Sequence, residues 1–323
     1  MTDVMEKYSG RMAPGMAEYL ARSEELFSHA GDITVADQRR AFTKLCQAFA
    51  GPHPDGLSVR DHMVPGPHGE IAIRIYRPAE AAGTDDAMPG LVYFHGGGWV
   101  VGNLDSHDDH CAWMAATSGV VVIAVDYPLA PENIHPVPFE ASDAAFRHIA
   151  ENAAHFGVDP ARLGVGGDSA GAALAAAIAL KARDDVGPAI GLQLLIYPTL
   201  GCDHSLPSFT ENADAPALTT GDMAKYLGIY TGKEPHAITD PHAAPLLADD
   251  LAGMPPAVIV ACELDPLRDE AAVWHDRLQQ AGVASRFYLG EGLVHGCMRA
   301  RRMSPAAMRL FEEICEGLSS LRT

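Results

Sequence analysis

Short apolar runs that alternate with helix-like stretches are the feature of this chain that most restricts its fold. The buried-strand candidates are "GLVYFH", "VVVIAVDY", "RLGVGG", "GLQLLIYP" and "PAVIVACELD". Helical patterns follow at residues 139–155, 170–183 and about 268–281, with another helix at the C-terminus. Strands that alternate with helices predict an α/β fold, in which helices cover both faces of a mostly parallel central sheet.

Two earlier runs, "LSVRDHMV" and "EIAIRIYRP", have a different pattern. Apolar Ile71, Ile73 and Ile75 alternate with polar or small residues, which is typical of a strand with one buried face. We expect these two runs to form an antiparallel edge of the same sheet.

Two segments fall outside this alternation. Residues 15–50 have helical patterns, and the first of these places Met16, Leu20 and Phe27 near one face. Residues 205–245 are rich in Pro, Thr and Asp and contain one helical piece, "TGDMAKYLGIYTG". An insertion of that size over the carboxyl edge of a sheet is typical of a lid or cap.

Charge and hydropathy exclude several classes of partner. The 323-residue chain has 42 acidic and 23 basic residues, a formal net charge of −19. Nucleic acids and anionic membranes attract basic proteins, so we expect neither as a partner. The N-terminal stretch "MTDVMEKYSGRMAPGMAEYL" lacks the apolar run of a signal peptide, and "AALAAAIAL" is too short to span a bilayer. We therefore expect a cytoplasmic protein.

The cysteines are scattered and form no CxxC pair, which is typical of reduced and mostly buried thiols in a cytoplasmic chain. They are Cys46, Cys111, Cys202, Cys262, Cys297 and Cys315.

The stretch "RLGVGGDSAGAALAAAIAL" places Ser169 at a corner between a buried strand and a helix. Gly167 and Gly171 complete a G-x-S-x-G pattern, whose glycines let the backbone turn sharply and project the serine hydroxyl. A phosphate-binding loop is excluded, because a dinucleotide motif needs glycine at position 169 and no G-K-[ST] follows. The remaining interpretations are a nucleophile and a plain strand-to-helix connection.

A second glycine-rich stretch, "FHGGGWVVG", follows the strand "GLVYF". Three consecutive glycines at a strand end expose backbone N–H groups that can stabilise a developing negative charge on oxygen. A flexible turn is the structural alternative.

Two further strand ends carry residues that suit nucleophilic catalysis. Asp265 follows "PAVIVACEL", and His295 follows the strand "SRFYLG" in the stretch "EGLVHGCMR". Asp269 and Glu263 are competing carboxylates, and Asp265 could instead be a helix N-cap. The order Ser169, Asp265, His295 is the serine, acid, histidine order of an α/β-hydrolase.

The motifs HGGGW, "DYPLAPE" (126–132), GDSAG, DPLRD and HG, in this order, resemble those of the bacterial hormone-sensitive-lipase-like esterases, also called family IV. The resemblance covers about residues 92–297. It implies an α/β-hydrolase fold, a helical cap, and hydrolysis of carboxylic esters without a cofactor or metal. The cap would combine residues 1–50 with the insertion at 205–245, and the catalytic core would comprise residues 51–204 and 246–323.

The resemblance also implies a role for individual residues. Ser169 is the expected nucleophile, His295 the base and Asp265 the residue that orients it. The expected oxyanion-hole donors are the backbone N–H groups of Gly97, Gly98 and Ala170. The substrate-pocket candidates are Trp99, Met16, Leu20, Phe209 and Tyr226, of which the last four could equally be core residues of the cap.

Three positions depart from the family pattern. Pro128 stands where arginine is usual, so any ion pair of that arginine with Glu132 or Asp126 must be absent or replaced. Ala172 stands where glycine is usual, which slightly favours helix. Cys297 stands where phenylalanine is common, and it either reshapes the pocket, exposes a thiol or is a small core residue.

The resemblance predicts a serine carboxylesterase acting on short- to medium-chain esters. An amidase or lactonase could use the same residues, and a non-hydrolytic binding protein on the same fold is an alternative from another class. The presence of His295 favours an enzyme. A homodimer, paired through an edge strand such as "SRFYLG", is a further hypothesis.

Overall fold

The computed structural model of the protein describes residues 7–26, 34–79, 87–201 and 203–322. Phe27, expected on the apolar face of the first helix, and Cys202, expected to be a reduced thiol, lie outside the described residues. Within those ranges, no helix combines the length and the apolar character needed to cross a membrane.

Eight strands form a single sheet in the order β1-β2-β4-β3-β5-β6-β7-β8. Strands β3 to β8 are parallel, whereas β2 is antiparallel to both β1 and β4. The predicted antiparallel edge is therefore confirmed. The strand bounds are β1 Ser58–Gly66, β2 Gly69–Arg77, β3 Met88–Phe94, β4 Val121–Asp126, β5 Val158–Asp168, β6 Gln193–Ile196, β7 Ala257–Leu264 and β8 Ser285–Val294.

Helices precede the sheet, connect its strands and close the chain. Their bounds are α1 Met16–Leu26, α2 Val35–Ala48, α3 Leu104–Ser118, α4 Val137–Glu151, α5 Ala153–Phe156, α6 Ala170–Asp184, α7 Pro207–Glu211, α8 Thr220–Thr231, α9 Arg268–Gln280 and α10 Pro305–Ser319. Short 3₁₀ turns lie at Pro235–Ala237, Pro245–Leu247, Cys297–Ala300 and Ser320–Arg322.

The sheet separates two hydrophobic cores. In β3, Val92 and Phe94 belong to the core with α4, α6 and α9, whereas Leu91 and Tyr93 belong to the core with α3 and α10. All four side chains are fully buried. Successive residues of a strand point to opposite faces, so a strand covered by helices on both sides must be apolar throughout. This is why the parallel strands appear in the sequence as continuous apolar runs.

The predicted helix over residues 139–155 is wrong in its bounds. The structure has two helices there, α4 and α5, because the chain leaves helical geometry at Asn152. Helix α4 also begins earlier than predicted, with Pro138 in its first turn, where the missing N–H of proline costs no hydrogen bond.

Helices outside the sheet alternation contact the loops at the carboxyl ends of the strands. Arg39 of α2 donates to the carbonyl of Val100, beyond β3, and Tyr19 of α1 donates to the carbonyl of Gly296, beyond β8. Asn212, at the end of α7, donates to the carbonyl of Asp265, beyond β7. Residues 15–50 and 205–245 are far apart in sequence, and both contact loops at the carboxyl edge of the sheet.

Candidate active site

Ser169 lies at the sharp corner between β5 and α6. Its φ of +54° is in the region that L-residues rarely adopt, and its exposure is 9%. Gly167 and Gly171 make this corner possible, since a β-carbon on either would collide with the backbone carbonyl of Phe94 at the end of β3. The glycines thus bring the serine turn against the strand that leads into the HGGGW loop.

A continuous hydrogen-bonded chain joins the three residues expected to act together. His295 Nε2 lies 2.9 Å from Ser169 Oγ, and His295 Nδ1 lies 2.7 Å from Asp265 Oδ2. Asp265 is fully buried, and its other oxygen accepts from the backbone N–H of Leu267 at 2.9 Å. Because the carboxylate can only accept, His295 carries its proton on Nδ1 and presents an unprotonated Nε2 to the serine hydroxyl.

The structure places the two competing carboxylates elsewhere. Asp269 accepts from the backbone N–H of Ser208 at 2.9 Å and pairs with Arg268. Glu263 pairs with Arg11 and accepts from the backbone N–H of Gly292. Asp265 is therefore the carboxylate that the fold brings to His295.

The HGGGW loop is a tight turn beyond β3. The carbonyl of Gly97 accepts from the N–H groups of Val100 and Val101 at 3.1 and 3.0 Å. Gly97 and Gly98 have φ values of +123° and +60°, which glycine adopts without steric cost. Within the described residues, the N–H groups of Gly97 and Gly98 make no hydrogen bond. Ala170 is the first residue of α6, a position whose N–H has no partner inside the helix.

Asp168, the residue before Ser169, holds the start of this loop. Its Oδ1 accepts from the backbone N–H of Gly96 at 2.9 Å and from the hydroxyl of Tyr93 at 2.7 Å. Burial alone would raise the pKa of Asp168, but nearby His107 and the donated hydrogen bonds outweigh burial and lower it. The carboxylate therefore stays ionised and fixes the loop to the end of β5.

His95, the first residue of the HGGGW motif, is buried and neutral. Burial, followed by nearby His107, lowers its pKa to about 3. Its Nδ1 donates to the carbonyl of Gly96 at 2.9 Å, and its ring stacks on Tyr127 with centroids 4.3 Å apart. At neutral pH this ring supports the loop by packing and hydrogen bonding, and carries no charge.

Of the pocket candidates, Trp99 belongs to the HGGGW loop and Tyr226 lies directly against it. Trp99, with a φ of +60°, stacks on Tyr230 of α8 at 4.2 Å between ring centroids. Tyr226 of the same helix occupies the space beside Gly98, where a β-carbon would overlap its ring. Helix α8 thus packs on two successive residues of the loop.

The other three candidates are buried in hydrophobic clusters. Met16 and Leu20 of α1 pack in the core that also contains Tyr19 and Phe49. Phe209 belongs to a small cluster beside Asp265, with its neighbours Leu218, Met223 and Leu267. All three are less than 10% exposed, which is typical of core side chains.

The departure at position 128 has a structural counterpart. Glu132 pairs with Arg39 of α2, and the shortest N–O distance of this pair is 2.6 Å. Arg39 was not among the residues predicted from the sequence. Asp126 makes no ion pair with arginine in the described part of the chain. Burial and the neighbouring carboxylate of Asp105 raise its pKa to about 6. The ion pair with Glu132 is therefore replaced, and the one with Asp126 is absent.

The cysteine after His-Gly is a core residue. Cys297 is fully buried, and its sulfur lies 3.5 Å from that of Cys262 on β7. Burial raises the pKa of the Cys262 thiol, which keeps it protonated. Neither thiol is exposed. Ala172, at the other departure, lies within the first turn of α6 and is fully buried.

Sequence reasoning missed three residues that contact the site. The ring of Tyr197, at a φ of +35°, meets His295 edge-on at 4.8 Å. Asn212 donates to the carbonyls of Glu263 and Asp265. Arg39 donates to the loop after HGGGW. A signal existed for Arg39, because Pro128 leaves Glu132 without its usual partner, and no local signal pointed to the other two.

Among the described ranges, no group of three or more His, Cys, Asp or Glu side chains is arranged to hold a metal ion.

Known proteins resemble the chain along most of its length. A family model described as alpha/beta hydrolase fold matches residues 91–299. Esterase LipI of Mycobacterium tuberculosis is 42% identical over 270 residues, covering 84% of this chain and 83% of that protein. Ethyl acetate hydrolase of Pseudomonas putida is 34% identical over 317 residues, covering 94% and 95%.

The similarity extends to three dimensions. The solved structure of a hyperthermophilic esterase from the archaeon Pyrobaculum calidifontis matches with a TM-score of 0.87 at 32% identity, covering 96% of this chain and 98% of that one. The sheet order, the serine corner and the family match agree with one another. This chain belongs to the bacterial hormone-sensitive-lipase-like (family IV) carboxylesterases of the α/β-hydrolase superfamily.

Proposed function

We propose that this chain is a serine carboxylesterase that hydrolyses short- to medium-chain carboxylic esters through an acyl-enzyme. The observation that carries the proposal is the chain of hydrogen bonds from Ser169 through His295 to Asp265. In this proposal Ser169 is the nucleophile, His295 the general base and Asp265 the residue that fixes the tautomer of His295.

The reaction has two steps. Ser169 Oγ attacks the ester carbonyl while His295 Nε2 takes the hydroxyl proton, and the protonated imidazole then gives that proton to the departing alcohol. Water, activated by the same imidazole, attacks the acyl-enzyme and releases the carboxylic acid. Asp265 is buried beside Nδ1, where its charge stabilises the imidazolium that forms in each step.

The negative charge on the carbonyl oxygen needs donors that are in place before the reaction. The N–H groups of Gly97, Gly98 and Ala170 fit this role, since the first two make no hydrogen bond in the described chain and the third begins α6. The N-terminal end of α6 adds a positive partial charge at the same point.

The proposed substrates are small esters that lie between the core and a helical cap. Contacts from α1, α2 and α8 to the loops around the triad support a cap built from residues 1–50 and 205–245. We propose Trp99, Met16, Leu20, Phe209 and Tyr226 as pocket residues. The ethyl acetate hydrolase relative supports a preference for short chains.

Replacing Ser169 by alanine tests the chemistry. We expect Ser169→Ala to lower kcat on p-nitrophenyl butyrate by a factor on the order of 10⁴ or more, with unchanged circular dichroism. A serine-reactive phosphonate should label the unmodified protein at Ser169 alone. The matched control is Ser142→Ala, a buried serine in α4 that donates to the carbonyl of Pro138 and should keep full activity. Full activity in Ser169→Ala would refute the proposal.

A series of p-nitrophenyl esters tests the chain length. We expect the highest kcat/KM for short to medium acyl groups, and maximal activity on long-chain emulsions would contradict this. Matched amides and lactones in the same panel separate an esterase from an amidase or lactonase, which use the same residues.

Location and assembly are also proposals. A cytoplasmic location is supported by the five described cysteines, all of which are free and buried. A homodimer is supported by the position of β8 at one edge of the sheet, where some of its residues are exposed. Light scattering of the purified protein should give twice the chain mass, and a monomer would overturn the dimer.

A further inference from the structure

Arg39 of α2 makes an unusual set of contacts for a residue outside the catalytic core. Its Nε donates to the carbonyl of Val100 at 2.8 Å, and one terminal nitrogen donates to the carbonyl of Ala130 at 2.9 Å. The guanidinium also forms a two-point pair with Glu132, at 3.0 and 2.6 Å. One side chain therefore binds two backbone carbonyls and a carboxylate.

We call the HGGGW loop the oxyanion loop, because it contains the proposed donors Gly97 and Gly98. Both carbonyls that Arg39 binds lie in segments that support this loop. Val100 closes the turn whose first residue is Gly97, to which its N–H donates. Ala130 donates its own N–H to the carbonyl of Trp99 at 2.9 Å. The segment around Ala130 therefore binds Trp99 directly. Arg39 binds both Ala130 and Val100, the residue after Trp99, and so holds the two segments together.

Other residues of α2 contact the same region. Phe42 and Val35 pack against the cluster formed by Val100, Val101 and Ala130. Thr43 accepts a hydrogen bond from the side chain of Asn103, the residue that caps α3 just after the loop. The face of α2 that carries Arg39 is therefore the face that meets the loop.

The two ends of the oxyanion loop are held from different directions. Its start is fixed at Gly96 by Asp168, next to the nucleophile. Its end is fixed at Val100 by Arg39, from a helix about 60 residues earlier in the chain. Between these two points lie Gly97 and Gly98, whose glycine backbone has little stiffness of its own.

We propose that Arg39 is a positioning residue for the oxyanion hole, so that helix α2 contributes to transition-state stabilisation and not merely to covering the pocket. This inference rests on the proposed esterase function. Donors in an oxyanion hole work because they are held in place before charge develops. Loss of the contact to Val100 would let the N–H groups of Gly97 and Gly98 move relative to Ser169.

The chemistry of these contacts requires arginine. A planar guanidinium offers five N–H donors in a fixed fork, which can bind a carboxylate with two nitrogens and still reach two carbonyls. Lysine keeps the charge but presents it from one point. Arg39→Lys should therefore be impaired, though less than Arg39→Gln.

The test compares Arg39→Gln with Arg40→Gln, two adjacent arginines of the same helix. Arg40 pairs with Asp37 within α2 and, among the described residues, makes no hydrogen bond or ion pair with the loop, so it is the matched control for charge and helix propensity. For each variant, kcat is divided by the concentration of reactive serine, titrated with a phosphonate. This division removes any loss caused by partial unfolding.

We expect Arg39→Gln to lower kcat per reactive serine by about 10- to 100-fold, with KM changed by about 3-fold or less, because small misplacements near the reacting atoms have effects of this size. Arg40→Gln should match the unmodified protein. In Arg39→Ala, millimolar guanidinium should restore part of kcat, and it should not raise kcat in Arg40→Ala.

The failures are distinguishable. If Arg39→Gln keeps the full kcat per reactive serine while Ser169→Ala is inactive, this inference is wrong and the esterase function stands. If kcat falls but guanidinium restores nothing in Arg39→Ala, the loss comes from packing of α2, and the inference is again overturned. If Ser169→Ala is fully active, the proposed function itself fails.

Discussion

The carboxylate of Asp168 accepts a hydrogen bond from the backbone N–H of Gly96 at 2.9 Å. This contact joins the residue before Ser169 to the first glycine of the HGGGW loop. Two motifs more than 70 residues apart are therefore held in one geometry by a buried charge. The same oxygen also accepts from the hydroxyl of Tyr93.

Asp168→Asn tests this connection. The amide oxygen can keep both hydrogen bonds, but it lacks the charge that strengthens them. We expect unfolding free energy to fall by about 1–3 kcal/mol, and kcat to fall by about 10-fold as the loop loosens. Urea unfolding and ester kinetics measure the two effects. Asp159→Asn, at a partly exposed carboxylate of the same strand that pairs with Arg162, should change both by little.

Asp265→Asn tests the choice among the carboxylates. An amide beside Nδ1 of His295 favours the wrong tautomer, because its NH₂ group can only donate. We expect kcat to fall by a factor on the order of 10⁴, with the fold intact. Asp269→Asn, four residues along the chain, should stay within about 10-fold of the unmodified protein, since that side chain pairs with Arg268. Equal losses in the two variants would argue against the role proposed for Asp265.

Gly98→Ala tests the contact between α8 and the oxyanion loop. The new methyl group meets the ring of Tyr226, and the φ of +60° adds a backbone cost of about 1–2 kcal/mol. We expect kcat to fall by about 100-fold. The double variant Gly98→Ala with Tyr226→Ala should recover part of this loss, because it removes the collision and leaves only the backbone cost.

The control for that experiment lies in the same helix. A β-carbon on Gly228 of α8 would make only an ordinary contact, with the backbone oxygen of Lys233 at 3.7 Å, so Gly228→Ala should preserve kcat and stabilise the helix by about 0.5–1 kcal/mol. If Tyr226→Ala recovers nothing, the contact with α8 does not shape the loop.

Glu270 makes stability depend on pH. It is fully buried in α9, its carboxylate accepts from the backbone N–H of Leu200 at 2.7 Å, and burial raises its pKa to about 7 from the usual 4.5. The folded protein therefore binds this proton more tightly than the unfolded chain. The contribution of this group to the unfolding free energy is therefore highest below pH 4.5 and is lost as pH rises through 7, a change of about 3 kcal/mol.

Glu270→Gln removes this titration. The variant should be more stable than the unmodified protein at pH 8, with a smaller gain at pH 5. Urea unfolding at both pH values measures the difference. Glu291→Gln, at an exposed glutamate on β8, should leave the pH profile unchanged. A Glu270→Gln variant that loses stability equally at both pH values would show that the carboxylate is ionised when buried.

Much of the fold and the core of the site could be predicted because both depend on local pattern. Apolar runs alternating with helices predicted the parallel sheet, since a strand covered on both faces must be apolar throughout. The carboxyl ends of parallel strands lie at one edge, so residues just past β5, β7 and β8 were expected to meet. Ser169, Asp265 and His295 lie at those three positions.

Local sequence pattern was enough to predict the α/β sheet, the serine corner and the order of Ser169, Asp265 and His295 at the strand ends. The packing of the folded chain determines which distant side chains support the site: Arg39 contacts Val100, Asn212 contacts Asp265 and Tyr226 contacts Gly98. Such contacts join segments far apart in the chain, and they have neither a period nor a fixed spacing. Their partners are chosen by how helices pack over the sheet edge, which depends on the whole fold.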